Sequence, residues 1–257
     1  MISLFFLAII QGITEFLPIS SSIHLIIFRD IFLVGKSVLD SNLELTFDIA
    51  LHFGTLLAII VYFYKDIINI KRNMIKNIII ATIPAAIVGF LFEDIIERYI
   101  RTKYFLLVFS LIIVGIIIYF VDIKSRSDKS IEKMSLKSAF YIGLGQMLAL
   151  IPGFSRSGTT ITFGRILGIN REDSTKFSFY LSVPILTGAL FLQTFKTDYD
   201  IIYHNLSIFI MGIFISFITG LLCIKLLINY VKTNNFKIFM WYRIVFGIIV
   251  LIYLFNH

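Results

Sequence analysis

The chain has 257 residues, 58% of them hydrophobic and only 15% charged, with a mean hydropathy of +0.92. This lies outside the range of soluble domains, excludes a water-soluble enzyme or binding module, and reads as an integral membrane protein. The formal charge of +7 falls in short loops between apolar runs, where it reports orientation in a bilayer and implies no nucleic-acid partner.

Met1 to Ile10 has no basic start and no small-residue cleavage site, so this end is expected to stay on the mature protein. Residues 1–34 are apolar but broken near Pro18, since proline lacks an N–H and disfavours helix in the residue before it. Neither half, Ile2 to Leu17 or Ser20 to Val34, reaches the roughly 20 apolar residues of a full span, so a re-entrant helix pair is expected. Leu45 to Tyr64 is long enough to span and precedes the basic loop of Lys65, Lys71, Arg72 and Lys76. Asn77 to Phe92 is the next span, with Pro84 as a tolerated kink, followed by a mixed acid-and-base loop from Glu93 to Lys103. Tyr104 to Val121 spans again, and Lys124, Arg126, Lys129, Lys133 and Lys137 make the most basic loop. Ser138 to Ile169 is interrupted by Pro152-Gly153 and Gly158 and resembles the first broken segment. Spans at Ser174 to Phe195, Leu206 to Val231 and Ile238 to Phe255 complete the chain. The lone Cys223 allows no intrachain disulfide and no cysteine-based metal site.

A broken segment plus three spans therefore occurs twice. The expected fold is an all-α polytopic membrane protein, one integral membrane domain over residues 1–257 with a weak internal repeat of about 1–125 and 130–257. Three crossings between the broken segments make them enter from opposite faces. That is the inverted-topology plan, each half a broken re-entrant helix pair plus three transmembrane helices, with the broken helices meeting near the midplane. The positive-inside rule places the loops around Lys71 and Lys129 in the cytoplasm, with Arg171, Lys176, Lys232 and Lys237 on the same side and both termini outside.

The densest polar run is Gln11-Gly-Ile-Thr-Glu15-Phe-Leu-Pro18-Ile-Ser20-Ser21-Ser22-Ile-His24. A charge at membrane depth costs at least about 2.5–3.5 kcal/mol, so Glu15 and His24 are expected to face a protein interior or a water-filled cavity. Gln11 and Glu15 share one helix face and can both address a hard cation such as Mg²⁺, which takes one or two carboxylates plus substrate phosphate oxygens. The bland alternative is a Glu bonded to the hydroxyls of Thr14 or Ser20. Ser20 and Ser21 stand four and three residues before His24, a spacing that brings a hydroxyl nucleophile to an imidazole base. For any single serine the alternative is a bond back to a helix carbonyl.

The later run Gln146-Met-Leu-Ala-Leu-Ile-Pro152-Gly-Phe-Ser155-Arg156-Ser157-Gly158-Thr159-Thr160 echoes the first: Gln, apolar residues, Pro, then hydroxyls. Its second half reads as a phosphate cradle, with backbone N–H groups and a helix N-terminus beside a guanidinium fork. Ser155, Arg156, Ser157, Gly158 and Thr160, with Ser20, are the candidate phosphate contacts. No Gly-Lys-Ser/Thr follows, so it is not a Walker A loop. One stretch carries the acid and the other the guanidinium, and the two are expected to meet. Asp48 and His52, four apart, either line the same cavity or sit at an interface. Arg165, Arg243 and Lys225 read as interfacial anchors or structural partners.

These two stretches resemble the paired motifs of the bacterial undecaprenyl-diphosphatase family, the bacitracin-resistance type of membrane phosphatase. The resemblance rests on Gln-Gly-x-Thr-Glu-Phe-Leu-Pro-x-Ser-Ser-x-x-His and Pro-Gly-Phe-Ser-Arg-Ser-Gly-x-Thr, and extends to Ile83-Pro84-Ala85 and Phe177-Ser-Phe-x-Leu-Ser-Val-Pro184. It implies hydrolysis of undecaprenyl diphosphate to undecaprenyl phosphate and inorganic phosphate, which recycles the lipid carrier of peptidoglycan synthesis and confers bacitracin resistance. It also implies a divalent cation, Mg²⁺ first and Ca²⁺ second, and an inverted-repeat fold with its site toward the outer face of the bacterial cytoplasmic (inner) membrane. The partners implied are a polyprenyl diphosphate lipid and the bilayer, with a homodimer left open.

Carried over by position, the family's acid motif falls on Gln11 and Glu15, its Ser and His on Ser20, Ser21 and His24, and its phosphate loop on Ser155, Arg156 and Thr160. Many members have Glu at the position of Gln11, and Ile23 stands where a small residue is usual. The roles implied are Glu15 with Gln11 on the metal, Arg156 on the phosphates and His24 as acid or base. The attacker is left open among Ser21, Ser20, His24 and water. The rival is an inverted-repeat transporter or flippase for a polyprenyl phosphate or another anionic lipid. The serines beside a carboxylate and an imidazole favour the enzyme, because a carrier has no need to activate an attacking group.

Overall fold

The computed structural model describes residues 2–29, 41–99, 103–125, 129–195 and 199–256. These residues are helical throughout: α1 (Ile2–Thr14), α2 (Ser21–Ile27), α3 (Ser41–Tyr62), α4 (Tyr64–Ile68), α5 (Arg72–Tyr99), α6 (Tyr104–Lys124), α7 (Leu136–Leu148), α8 (Arg156–Ile166), α9 (Arg171–Thr194), α10 (Tyr199–His204), α11 (Leu206–Thr233) and α12 (Lys237–Asn256). The only pairing outside helices among them is an isolated bridge between Lys129 and Ile169. Five helices, α5, α6, α9, α11 and α12, are long and apolar enough to cross a membrane. They match five of the six expected spans. The sixth is α3, a helix of 22 residues whose apolar stretch among the described residues covers Thr46–Tyr62.

Outward faces account for the composition. Along α5 the exposed side chains are Ile79, Ile83, Ile87 and Phe90; along α11 they are Ile210, Phe214, Ile218, Leu222 and Leu226. Each set recurs at helical spacing, so each is one stripe turned to lipid, while the opposite stripe packs inward. Inside, α11 lies along α3 and α1, and small residues set the approach. A Cβ on Gly12 would collide with Thr219 and the Ser216 carbonyl, and one on Gly54 with Ser216 and the Ile213 carbonyl. Small residues let backbones approach where apolar burial gives no net drive between helices in lipid.

Both broken segments are present, with different limits from those expected. The first breaks between Thr14 and Ser21 around Pro18, and α2 is described to Ile27, the stretch toward Val34 lying outside the described residues. The second breaks only between Leu148 and Arg156. Gly158 does not interrupt the helix; it sits inside α8, where a Cβ would press on Ile118 and the Ser155 Cβ and approach the Arg243 guanidinium. That glycine serves close packing. The expected loop from Glu93 to Lys103 is helical as far as Tyr99, because no Gly or Pro interrupts 93–99 and its Glu and Arg are good helix formers. In the most basic loop, Arg126 lies outside the described residues.

One end of the bundle is tied by charge. Asp122, wholly buried at the last turn of α6, accepts from Arg165 Nε at 2.8 Å, from Arg171 Nε at 2.8 Å and from the Phe236 backbone N–H. Arg165 also donates to the carbonyls of Ile169, Asp122 and Ser125. Close by, Lys71 pairs with Glu132 at 3.1 Å, Asn77 donates to the Met134 carbonyl and Lys129 to the Leu167 carbonyl. The loops holding Lys71, Lys129, Arg171 and Lys237 therefore share one end. Arg165 is a structural partner, and Lys225 faces outward.

Asp122→Asn keeps the shape but leaves the buried Arg165 without a counter-charge. The expected cost is about 3–5 kcal/mol, the penalty of breaking one partner of a buried pair. It should appear as a marked drop in the unfolding midpoint of purified protein in detergent.

Candidate active site

Two prolines create the site. At Pro18 and Pro152 the helices stop, and carbonyls that would have bonded to the next turn must find other donors, since lipid offers none. Arg243, in the first half of α12, supplies two: its Nε donates to the Pro18 carbonyl at 2.7 Å and Nη2 to Phe154 at 3.2 Å, while Nη1 donates to the Leu111 carbonyl of α6 at 3.1 Å. Ser157 donates to the Leu17 carbonyl at 2.9 Å, and Ser110 to the Pro152 carbonyl at 3.0 Å. Arg243 is completely buried. Far from anchoring the protein at an interface, it clasps both breaks to α6. Its position inside an apolar helix that contains no acid was the sequence signal for that role.

After each break the chain restarts through a serine with positive φ, Ser20 at 72° and Ser155 at 69°. Such conformations cost about 1–3 kcal/mol for a residue with a side chain and persist only where the surroundings hold them. Ser155 is held by capping, its Oγ accepting from the Gly158 N–H at 3.2 Å. Ser20 is held by His24. A carbonyl can only accept, so His24 Nδ1 carries the proton and donates to the Ser20 carbonyl at 2.7 Å; in the neutral ring Nε2 accepts from the Tyr242 hydroxyl at 2.8 Å. The ring stacks on Phe246 with centroids 4.4 Å apart. Ile23 fits beside it, buried among Ile27, Leu107 and Val250.

The expected Ser–His pair therefore does not form. Both nitrogens of His24 are engaged away from the serine hydroxyls, because the turn at Ser20 directs its carbonyl at the ring. Ser20 Oγ instead lies 3.3 Å from Ser22 Oγ. Ser21, half-buried, donates to Glu15 Oε2 at 2.8 Å.

The two stretches do meet. Arg156, first residue of α8, donates from Nη2 to Glu15 Oε1 at 2.5 Å, with the guanidinium 14% and the carboxylate 5% exposed. The carboxylate is thus divided: Oε1 faces Arg156, and Oε2 accepts from Ser21 and from Gln11 Nε2 at 3.0 Å. His52 joins from α3, its Nδ1 2.9 Å from Gln11 Nε2 and 3.6 Å from Glu15 Oε2. Of the two readings of the Asp48–His52 pair, His52 takes the cavity. Asp48 belongs to a separate pair with Arg29.

The cradle differs from expectation in its donors. Ser155 Oγ caps Gly158 and lies 3.1 Å from Ser157 Oγ, Ser157 bonds Leu17, and Thr160 Oγ1 lies 2.8 Å from the Arg156 carbonyl and 2.7 Å from Ser178 Oγ. These hydroxyls are buried and spent on building the turn. Arg156 Nη1, by contrast, is buried with no hydrogen-bond partner, and so is Gln11 Oε1. Buried unpaired polar atoms cost about 1–3 kcal/mol each, so a donor and an acceptor without partners on either side of one carboxylate leave hydrogen-bonding capacity for a further group. The N-terminal end of α8, where Ser155 caps the Gly158 N–H, adds the positive end of the helix dipole beside Arg156.

Comparison with known proteins gives the family. A family model described as "Bacitracin resistance protein BacA" matches residues 4–249. The chain is 42% identical to an undecaprenyl-diphosphatase of Caldicellulosiruptor bescii, covering 96% of this chain and 94% of that protein. It is also 42% identical to one from Thermodesulfovibrio yellowstonii, covering 98% and 96%, and 40% identical to one from Pelotomaculum thermopropionicum, covering 96% and 94%. Matched almost end to end and carrying both motif stretches in one site, the chain belongs to the BacA family of bacitracin resistance proteins.

Proposed function

We propose that this chain is an undecaprenyl-diphosphatase: it removes the terminal phosphate of a polyprenyl diphosphate and returns the monophosphate carrier used in cell-wall synthesis, which is the source of bacitracin resistance. The observation that carries the reading is the Ser21 hydroxyl donating to Glu15 Oε2 at 2.8 Å while Arg156 holds Oε1. A carrier or flippase needs the cation that binds phosphate, but not a hydroxyl poised on a base.

In this reading Arg156 binds the terminal phosphoryl group through Nη1 and the amide ends of α8, giving the bidentate or bridging contact suited to phosphate. Ser21, or a water standing on the same carboxylate oxygen, attacks the terminal phosphorus. Its proton passes to Glu15 Oε2, the bond to the bridging oxygen breaks, and the polyprenyl phosphate leaves with Arg156 still neutralising charge on the transferring group. When Ser21 is the attacker, water then hydrolyses the phosphoserine. His24 acts as a positioning residue, holding Ser20 and so the start of α2. Gln11 and Glu15 fit a hard divalent cation, Mg²⁺ or Ca²⁺, through the unpartnered Gln11 Oε1 and the adjacent carboxylate. Such an ion would supply further neutralisation of the phosphoryl oxygens.

Phosphate release from a farnesyl or longer prenyl diphosphate in detergent tests the reading. Arg156→Lys keeps the charge but loses the fork, and turnover should fall by at least about a hundredfold with the unfolding midpoint unchanged, on the scale of losing one preorganised transition-state donor. Near-normal turnover would remove the cradle assignment. Glu15→Gln, or a chelator added to the wild type, should abolish release. Lipid transport by wild type without release would favour the carrier.

We further infer that the two halves are inverted repeats in the bacterial cytoplasmic membrane, with the site opening outward. Support comes from the matched breaks with positive-φ serines and from the basic loops gathered at the Asp122 end, which the positive-inside rule assigns to the cytoplasm. Cysteines introduced at Lys71 and Lys129 should resist an impermeant thiol reagent in intact cells, and labelling there would reverse the orientation.

A further inference from the structure

Three donor atoms converge on one point beside Glu15. The Gln11 amide end lies 3.0 Å from Glu15 Oε2 and 2.9 Å from His52 Nδ1, and those two lie 3.6 Å from each other. Ligands held about 2.1 Å from one ion in octahedral geometry stand about 3.0 Å apart, so the two sides at Gln11 already match adjacent positions of a coordination shell, and the 3.6 Å side between Glu15 and His52 has to close by about 0.6 Å. The residues come from two elements, α1 with its following turn and α3, that the Gly12 and Gly54 contacts pin against α11. Among the described residues no three His, Cys, Asp or Glu side chains cluster as a metal site, and the third protein group at this point is the Gln11 amide.

Gln11 can provide it. Its amide turns the NH₂ group toward the carboxylate and the imidazole and leaves Oε1 buried with no partner. A half-turn about the Cγ–Cδ bond exchanges the two ends and puts Oε1 at the apex of the same triangle. Without a cation that arrangement would set three acceptors against one another; around a cation all three are satisfied, the formerly orphaned oxygen among them, while the NH₂ group takes the position Oε1 had held. His52 is suited to the role because Nδ1 already points inward as an acceptor, while its side chain remains about a third exposed, leaving the other ring nitrogen for solvent or substrate.

We propose that His52 is a direct metal ligand, completing a Glu15–Gln11–His52 site with one imidazole nitrogen and two oxygens. This rests on the reading of the site as a cation-assisted diphosphatase, and it changes the ion the site prefers. A shell of oxygens alone suits Mg²⁺ and Ca²⁺, whereas an imidazole shifts preference toward first-row transition metals; Mn²⁺, which accepts oxygen ligands and stands at the weak-binding end of that row, is the paramagnetic probe of the site.

The test uses full-length protein in detergent, affinity tag removed, with Mn²⁺ as the probe. Bound Mn²⁺ is counted by electron paramagnetic resonance, and its ligands are read by electron spin echo modulation from ¹⁴N. Wild type should bind one Mn²⁺ with the modulation of a coordinated imidazole, and Ca²⁺ should displace it poorly. His52→Gln should abolish that modulation and weaken Mn²⁺ binding by at least about tenfold, the lower end of what losing even an outer-sphere partner costs. Mn²⁺ binding that depends on Glu15 but shows no ¹⁴N coupling, or that survives His52→Gln unchanged, would overturn the His52 ligand and leave the cation reading intact. Binding that is absent, or indifferent to Glu15→Gln, would overturn both.

Discussion

The pair between Glu15 and Arg156 is the interaction on which the rest of this structure depends. Each charge is nearly buried, and each belongs to a segment that cannot cross a bilayer alone. Removing either from water costs several kcal/mol, offset only if the two ions meet and their remaining hydrogen-bonding positions are filled. Ser21 and Gln11 fill the positions on the carboxylate. The unfilled one on the guanidinium, Nη1, is where a phosphate oxygen would complete the shell. Function and cohesion thus draw on the same charges, because a site that binds an anionic headgroup inside a membrane must already hold its cation against a carboxylate.

Holding that pair requires two broken helices to end face to face, and broken helices expose carbonyls. The protein answers with side chains drawn from distant elements. Arg243 on α12 reaches the carbonyls of Pro18, Leu111 and Phe154, and Ser157 on α8 reaches Leu17 across the breaks. Ser110 on α6 reaches Pro152. The same economy explains why the hydroxyls of Ser155, Ser157 and Thr160 build the turn instead of lining it. In a medium without water every backbone group freed by proline has to be repaired before a residue is left over for substrate. At the end of α6, Asp122 gathers Arg165, Arg171 and the Phe236 amide around one buried carboxylate, so that carboxylate is spent on structure.

The two histidines show where sequence spacing misleads about contacts. His24 lies three and four residues after Ser21 and Ser20, which on an unbroken helix would bring imidazole and hydroxyl together. The positive φ of Ser20 redirects its carbonyl onto the ring, and Tyr242 and Phe246 from α12 take the remaining faces. His52 is 41 residues from Gln11 in the chain and still lies against it, because Gly54 lets α3 lie close on α11, which also packs on α1. Local spacing located the right chemistry in the first stretch but assigned the imidazole to the wrong neighbour.

By itself the sequence determined the medium, the order of apolar spans, both breaks, and the complementarity of Glu15 with Arg156. Each follows from a local cause: hydropathy summed over a span, the missing N–H of proline, and the cost of an isolated charge in hydrocarbon. Only the tertiary structure decided which partners those residues keep. It placed His52 beside Glu15, locked His24 under Ser20, set Arg243 across both breaks and left Arg156 Nη1 and Gln11 Oε1 without partners. Those outcomes depend on how closely helices far apart in the chain approach, and packing distance between helices is not encoded in the periodicity of any one of them.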